Sequence, residues 1–192
     1  MINTKLPIYL ASKSPRRRKL LNQLGINFKS FSVDLNEEVV DGEHPVKTVK
    51  RLALHKLEVA KRKVRKGIII TADTIVVLDK KIIGKPENKK EAKLFLSKLS
   101  GRTHTVYTGF AIYNSDTSKT ILDYEKTFVT FRVLNKKEIS DYVDAGSPMD
   151  KAGAYGIQDD FGAVFVSKIN GCYYNVVGLP LSKLYASLHK IE

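Results

Sequence analysis

The sequence predicts an α/β or α+β fold in which helices cover a sheet, and three observations carry that expectation. Short β-branched runs alternate along the chain with longer stretches of helical periodicity. Gly, Pro, Asn and Asp cluster at the joints between them. The composition is ordinary for a globular chain: of 192 residues, 43% are hydrophobic and 28% charged, enough to build a core and too unbiased for disorder. No internal repeat or Pro/Gly/Ser linker interrupts it, so residues 1–192 are expected to form one domain.

Each element has its own signal. Ile8-Tyr9-Leu10 reads as a short strand. Ser14-Pro15 supplies an N-cap and a first-turn proline ahead of Leu20, Leu21 and Leu24, and Gly25 stops that helix. Phe28–Val33 is a second strand, and an acidic loop from Asp34 to Glu43 leads into a long helix over about Pro45–Arg65. Its Val46, Val49, Ala53, Leu57, Ala60 and Val64 share one face. The β-branched run Gly67–Leu78 turns at Asp79-Lys80-Lys81 into Ile82-Ile83-Gly84-Lys85-Pro86, and a helix follows over about Lys89–Leu99. Thr103–Tyr113 and Thr120–Val133, rich in Thr, Val, Tyr and Phe, form a hairpin about Asn114-Ser115-Asp116. A helix at Lys136–Ala145, a glycine-containing segment at Lys151–Gly162, a strand at Ala163–Ile169 and a helix after Pro180 complete the chain.

Composition excludes several classes. The single cysteine, Cys172, forbids an internal disulfide and fits a reducing compartment. Apolar runs such as Gly67–Ile70 and Ile75–Leu78 are far too short to span a membrane, and the first residues lack the pattern of a secretory signal, so the cytoplasm is the expected compartment. A formal charge of +13 attracts polyanions of any kind. Much of that excess is lysine on helix faces, where a solvated surface explains it equally well.

Four places break local rules. Arg16-Arg17-Arg18-Lys19 follow Ser14-Pro15 directly, at the helix end where the macrodipole already places positive charge. A phosphate bound among them resolves the conflict. Arg17 also extends the apolar stripe of Leu20, Leu21 and Leu24, so its side chain meets a phosphate, pairs with an internal carboxylate, or snorkels at the edge of the core. Lys56 projects slightly off the centre of its helix's apolar face, either snorkelling or serving chemistry. Asp73, in Thr71-Ala72-Asp73-Thr74, interrupts an interior run of Ile and Val, and a buried carboxylate needs a partner or a metal. The Asp79-Lys80-Lys81 turn sets Lys85 opposite Thr74, one position from Asp73, as a structural or a catalytic pair.

Glu37 lies in the acidic loop, where most carboxylates are merely solvated. Its interest is chemical, because a carboxylate beside a basic phosphate site can recruit a divalent ion that bridges phosphate oxygens. The four histidines, His44, His55, His104 and His189, are scattered without ligand spacing, which argues against zinc. Nor is there a G-x-x-x-x-G-K-[ST], a G-x-G-x-x-G or a G-x-S-x-G string.

Taken in order, Leu10-Ala11-Ser12-Lys13-Ser14-Pro15-Arg16-Arg17, Thr71-Ala72-Asp73-Thr74-Ile75-Val76, Gly84-Lys85-Pro86, Leu99-Ser100-Gly101-Arg102-Thr103-His104, Lys151-Ala152-Gly153-Ala154-Tyr155-Gly156-Ile157-Gln158 and Asn175-Val176-Val177-Gly178-Leu179-Pro180 resemble the Maf family over essentially the whole chain. The resemblance implies an elongated mixed sheet with flanking helices, like that of the inosine triphosphate pyrophosphatases, with a nucleotide in a cleft between two lobes. It implies hydrolysis of a nucleoside triphosphate to monophosphate and pyrophosphate, and the oxygen ligands Glu37 and Asp73 suit a divalent metal, Mg or Mn, rather than zinc. Ser12, Ser14, Arg16 and Arg17 match the family's phosphate motif, and Asp73 matches its proposed general base. Lys56, Lys85 and Glu37 match further catalytic positions, with Glu37 and Asp73 as the metal-linked carboxylates. Arg16, Thr74 and Gln158 fall where the family sets substrate preference.

The string ending at Gln158 is similar to the subgroup acting on dTTP and UTP, which implies a house-cleaning role toward canonical or modified pyrimidine nucleotides. The 7-methyl-GTP subgroup, an alternative, differs there. Many relatives carry glycine directly after the glutamine, where this chain has Asp159. A nucleoside triphosphate is the implied partner, without membrane or specific nucleic acid, and a homodimer is left open. The rival from another class is a non-catalytic basic protein that binds nucleic acid or regulates division; it would show steep salt dependence and would not need Asp73.

Overall fold

The computed structural model describes the chain except residues 1, 3, 34, 36–39, 41, 147, 159, 160 and 192. Strand β1 (Ile8–Ala11) is followed by helix α1 (Pro15–Gln23), strand β2 (Phe28–Phe31), helix α2 (Pro45–Lys61) and strand β3 (Ile68–Leu78). Both helices act as crossovers, so β1 pairs in parallel with β2 (Ile8↔Phe28) and with β3 (Ile8↔Ile68). Asp79 and Lys80, at φ 50° and 64°, form the left-handed pair that a two-residue hairpin uses, and β4 (Lys81–Ile83) returns antiparallel to β3. Helix α3 (Lys89–Leu99), strands β5 (Thr103–Asn114) and β6 (Thr120–Phe131), helix α4 (Lys136–Asp144), strand β7 (Val166–Asn170) and helices α5 (Tyr173–Val177) and α6 (Leu181–Ile191) follow. The seven strands form one mixed sheet in the order β2-β1-β3-β5-β6-β7, with β4 on β3.

Some boundaries differ from the sequence expectation for identifiable reasons. Helix α2 ends at Lys61 rather than Arg65, because the chain must turn before Gly67, whose φ of +148° brings it so close to Pro7 that a Cβ would sit 2.6 Å from its carbonyl oxygen. Strand β2 stops at Phe31 rather than Val33, having only four-residue β1 to pair with. The last strand starts at Val166 rather than Ala163, since Phe161–Phe165 coils into a 3-10 helix that buries Phe165. Helix α5 is too short for its periodicity to show in sequence.

By contact density the chain divides into two compact units, each assembled from separated segments. The first comprises Met1–Asp73, Thr108–Glu125 and Gly178–Glu192. In it Ala53, Leu57 and Ala60 of α2 pack on Ala11, Val33, Ile69 and Ala111. Gly109 permits the approach, because a Cβ there would lie 2.4 Å from the Val49 carbonyl oxygen. The second comprises Thr74–Tyr107 and Lys126–Val177, with α3 and α4 packed together and an aromatic core of Phe131, Tyr142, Tyr155 and Phe165. Three of the four divisions fall inside β3, β5 and β6, where sequence carries no linker signal, and the fourth lies at Val177/Gly178, between α5 and α6.

Candidate active site

In the first unit, the loop after β1 and the start of α1 form a tightly bonded corner. Ser14 caps α1, its Oγ accepting from the Arg17 N–H at 3.4 Å, with Pro15 in the first turn. The first turn holds no acidic residue. Ser12, buried, turns its Oγ back to accept from the Ser14 N–H at 3.2 Å and from Arg17 Nη1 at 3.4 Å. Arg17 also donates from Nε to the Gly178 carbonyl and from Nη1 to the Ala72 carbonyl, both at 2.8 Å. The sequence offered a phosphate, a carboxylate or a snorkelled position for Arg17. In the structure its half-buried guanidinium donates to two backbone carbonyls and to Ser12 Oγ, which use the planar fork of donors as a brace.

Helix α2 lies over the face of β3 that carries Thr71 and Asp73, two residues apart and so on one side of the strand. Thr71 Oγ1 donates to the Ala53 carbonyl at 2.8 Å, and Lys56, three residues on, donates from Nζ to Asp73 Oδ1 at 2.6 Å. These bonds make two successive rungs between helix and strand. Lys56 and Asp73 are both buried, at 8% and 5% exposure, so each charge depends on the other. Arg17, through the Ala72 carbonyl, ties the basic corner to the residue before Asp73. Arg16, in the first turn of α1, is half-buried.

The sequence set Lys85 opposite Thr74, one position from Asp73; the ammonium found 2.6 Å from Asp73 within the first unit is that of Lys56. Periodicity placed Lys56 near the apolar face of α2, but only the packing of α2 on β3 shows what it meets. In the second unit, the β3–β4 register of Val76↔Ile83, continued by two pairs, sets exposed Lys85 against half-buried Thr74. Gln158, also in that unit, is half-buried. Glu37 lies outside the described residues.

The described part of the site offers Asp73 as a hard oxygen donor, the kind Mg²⁺ accepts when phosphate oxygens and water supply its other ligands. Among the described residues no three His, Cys, Asp or Glu side chains cluster into a complete metal cage. The donor chemistry therefore fits a cation shared with a phosphate ligand.

Sequence reasoning placed His104 and Tyr155 within motif strings without giving either a role, and did not single out Tyr142. His104 is buried, with Nε2 2.8 Å from the Tyr155 hydroxyl, and its ring meets Phe131 and Tyr155 edge to face. Burial lowers its pKa from 6.5 to about 4. The signal was present in the strand period, since His104 is in phase with the buried Val106, Thr108 and Phe110 of β5.

The fold defines a class: an α/β chain built on one mixed sheet with flanking helices, the fold seen in a solved Ham1 protein. The solved structure of the Staphylococcus aureus Ham1 protein superimposes with a TM-score of 0.56 over 97% of this chain and 100% of that one, at 12% identity. Residues 7–191 match the family described as Maf-like protein, and the chain belongs to the Maf family. A dTTP/UTP pyrophosphatase of Syntrophomonas wolfei is 48% identical over 93% of this chain and 94% of its own length. A dTTP/UTP pyrophosphatase of Thermoanaerobacter sp. strain X514 is 46% identical over 96% of both chains.

Proposed function

We propose that this chain hydrolyses dTTP and UTP to the monophosphate and pyrophosphate. The observation that carries the reading is the Arg17 bridge, which fastens a basic helix N-terminus to the strand presenting buried Asp73. The names of the 48% and 46% identical relatives support the same substrates. In this mechanism the first turn of α1, with Arg16 and Ser14, holds phosphate oxygens, while Arg17 keeps the corner in shape. Asp73 accepts a proton from water as that water attacks the α-phosphorus; the bond from phosphorus to the α,β-bridging oxygen breaks, and pyrophosphate leaves with the electron pair. Lys56 orients the carboxylate, and Lys85 is the further catalytic lysine that the family resemblance implies. Thr74 and Gln158 read the base, favouring a pyrimidine. Asp73, with Glu37, would hold a Mg²⁺ or Mn²⁺ ion, which when bound neutralises charge on the phosphate oxygens.

The setting that suits this activity is the cytoplasm, with free canonical or modified pyrimidine nucleotides as substrates in a house-cleaning role; a homodimer is the assembly state to test by light scattering. No helix among the described residues is long and apolar enough to cross a membrane. Chromatography of products from a panel of nucleoside triphosphates, with and without chelator, tests the function. Monophosphate plus pyrophosphate from UTP and dTTP, lost in chelator, is expected. Orthophosphate and a diphosphate as primary products would overturn the reaction, and full turnover in chelator would remove the metal from it.

A further inference from the structure

The segment leading to Gln158 has an unusual backbone and is tethered at three successive places within its own unit. Gly153, at φ +74°, donates its N–H to the Gly84 carbonyl at 3.0 Å, next to Lys85. Ala154 follows at φ +59°, a left-handed conformation that a residue with a Cβ resists. Tyr155 shares its hydroxyl with His104 Nε2 at 2.8 Å, and Gly156 donates its N–H to the Tyr142 hydroxyl at 3.2 Å. The three anchors come from different elements, the end of β4, β5 and α4, so they hold a strained loop against relaxation.

The central anchor is the costly one. His104 Nδ1 is buried with no hydrogen-bond partner among the described residues, so the imidazole gives up one bond to make the other. Its low pKa leaves it neutral at pH 7, while burial pushes the Tyr155 phenol up, so no ion pair is involved. Packing alone does not require this, because Phe131 and Phe165 already fill the neighbourhood with apolar rings. A polar pair inside an aromatic cluster adds what an apolar one lacks, a fixed direction.

We propose that the His104–Tyr155 hydrogen bond is a positioning device that sets the conformation of residues 153–158, so that the pair governs base selectivity through Gln158 without itself meeting the substrate. This rests on the pyrimidine nucleotide reading above. Neither residue is catalytic: each acts through the backbone that leads to Gln158.

The test measures kcat and KM for UTP and ATP, with Tm, in wild type, Tyr155→Phe, His104→Gln and His104→Phe. Tyr155→Phe keeps the ring and removes the bond. The UTP-to-ATP ratio of kcat/KM should fall about tenfold, through a higher KM for UTP, while the constants for ATP hold. His104→Gln, whose amide can still meet the phenol, should keep the wild-type ratio even where its Tm falls. A folded Tyr155→Phe with an unchanged ratio, or with equal losses on both nucleotides, would overturn the proposal. Should Tyr155→Phe not fold, the ratio kept in His104→Gln and lost in His104→Phe supports it, and equal ratios in the two overturn it. A wild type preferring another base sinks the pyrimidine assignment alone, and the ratio of its best to its poorest nucleotide then reads the device. In a wild type without turnover, calorimetric Kd values for the same nucleotides supply that ratio.

Discussion

Asp73 and Lys56 bind each other at 2.6 Å in buried surroundings, so a substitution at either changes stability as well as chemistry. Asp73→Asn retains an acceptor for Lys56 and loses the charge and basicity. It should lower stability by about 1–3 kcal/mol and kcat per folded molecule by about 10²-fold or more, with KM little changed. Adding Lys56→Met leaves both members of the buried pair uncharged, so Tm should recover while kcat does not. A kcat that returned together with Tm would withdraw Asp73 as the base. Arg17 differs, since its guanidinium serves the Gly178 and Ala72 carbonyls. Arg17→Ala should cost about 1–3 kcal/mol and raise KM, because the phosphate corner loses its brace. Arg17→Lys should recover little, a single ammonium being unable to span both carbonyls; a wild-type Tm in that variant would show that the fork is unnecessary. The sequence marked all three residues as rule-breakers. It could not show that Lys56 meets Asp73, because helix phase says which face a side chain is on and nothing about the strand beneath.

Helix α2 reaches its place because Gly109 of β5 leaves room for it, with the Val49 carbonyl where a methyl would otherwise be. Gly109→Ala brings a Cβ to 2.4 Å from that oxygen, a backbone atom that cannot step aside alone. The helix must lift, and Lys56 lies about two turns further along it. Thermal denaturation and steady-state kinetics should show a loss of about 1–3 kcal/mol and a reduced kcat together. Unchanged Tm would mean that α2 is held elsewhere. The elements themselves were largely readable: the Ser14-Pro15 cap, the β-branched run of β3 and the Asp79-Lys80 turn all form where chain chemistry points. Apart from the short helix α5, the failures lie mostly at ends, as at Lys61 and Val166, where neighbouring strands and close approaches decide how far an element extends.

For the whole molecule, pH acts on folding through His104, whose pKa is about 4 when folded against an ordinary 6.5. Between those values the unfolded chain binds a proton that the folded chain refuses, so stability is full above about pH 6.5 and declines as pH falls toward 4, by about 3 kcal/mol in all. Denaturant titrations from pH 7.5 to 4.5 should show the decline in wild type and a flatter profile in His104→Gln; equal slopes would mean that His104 protonates in the folded state without penalty. Glu43, held below its ordinary range by Arg51, adds to acid loss only at lower pH. The sequence by itself determined the α/β class, the order of the elements other than α5, the family and the residues that break local rules, because caps, periodicity and turn chemistry are short-range properties. Tertiary structure alone decided that Arg17 braces carbonyls from distant segments, that Lys56 pairs with Asp73, and that His104 anchors Tyr155. Each of those contacts joins residues far apart in the chain, and their partners are fixed only when the helices settle on the sheet.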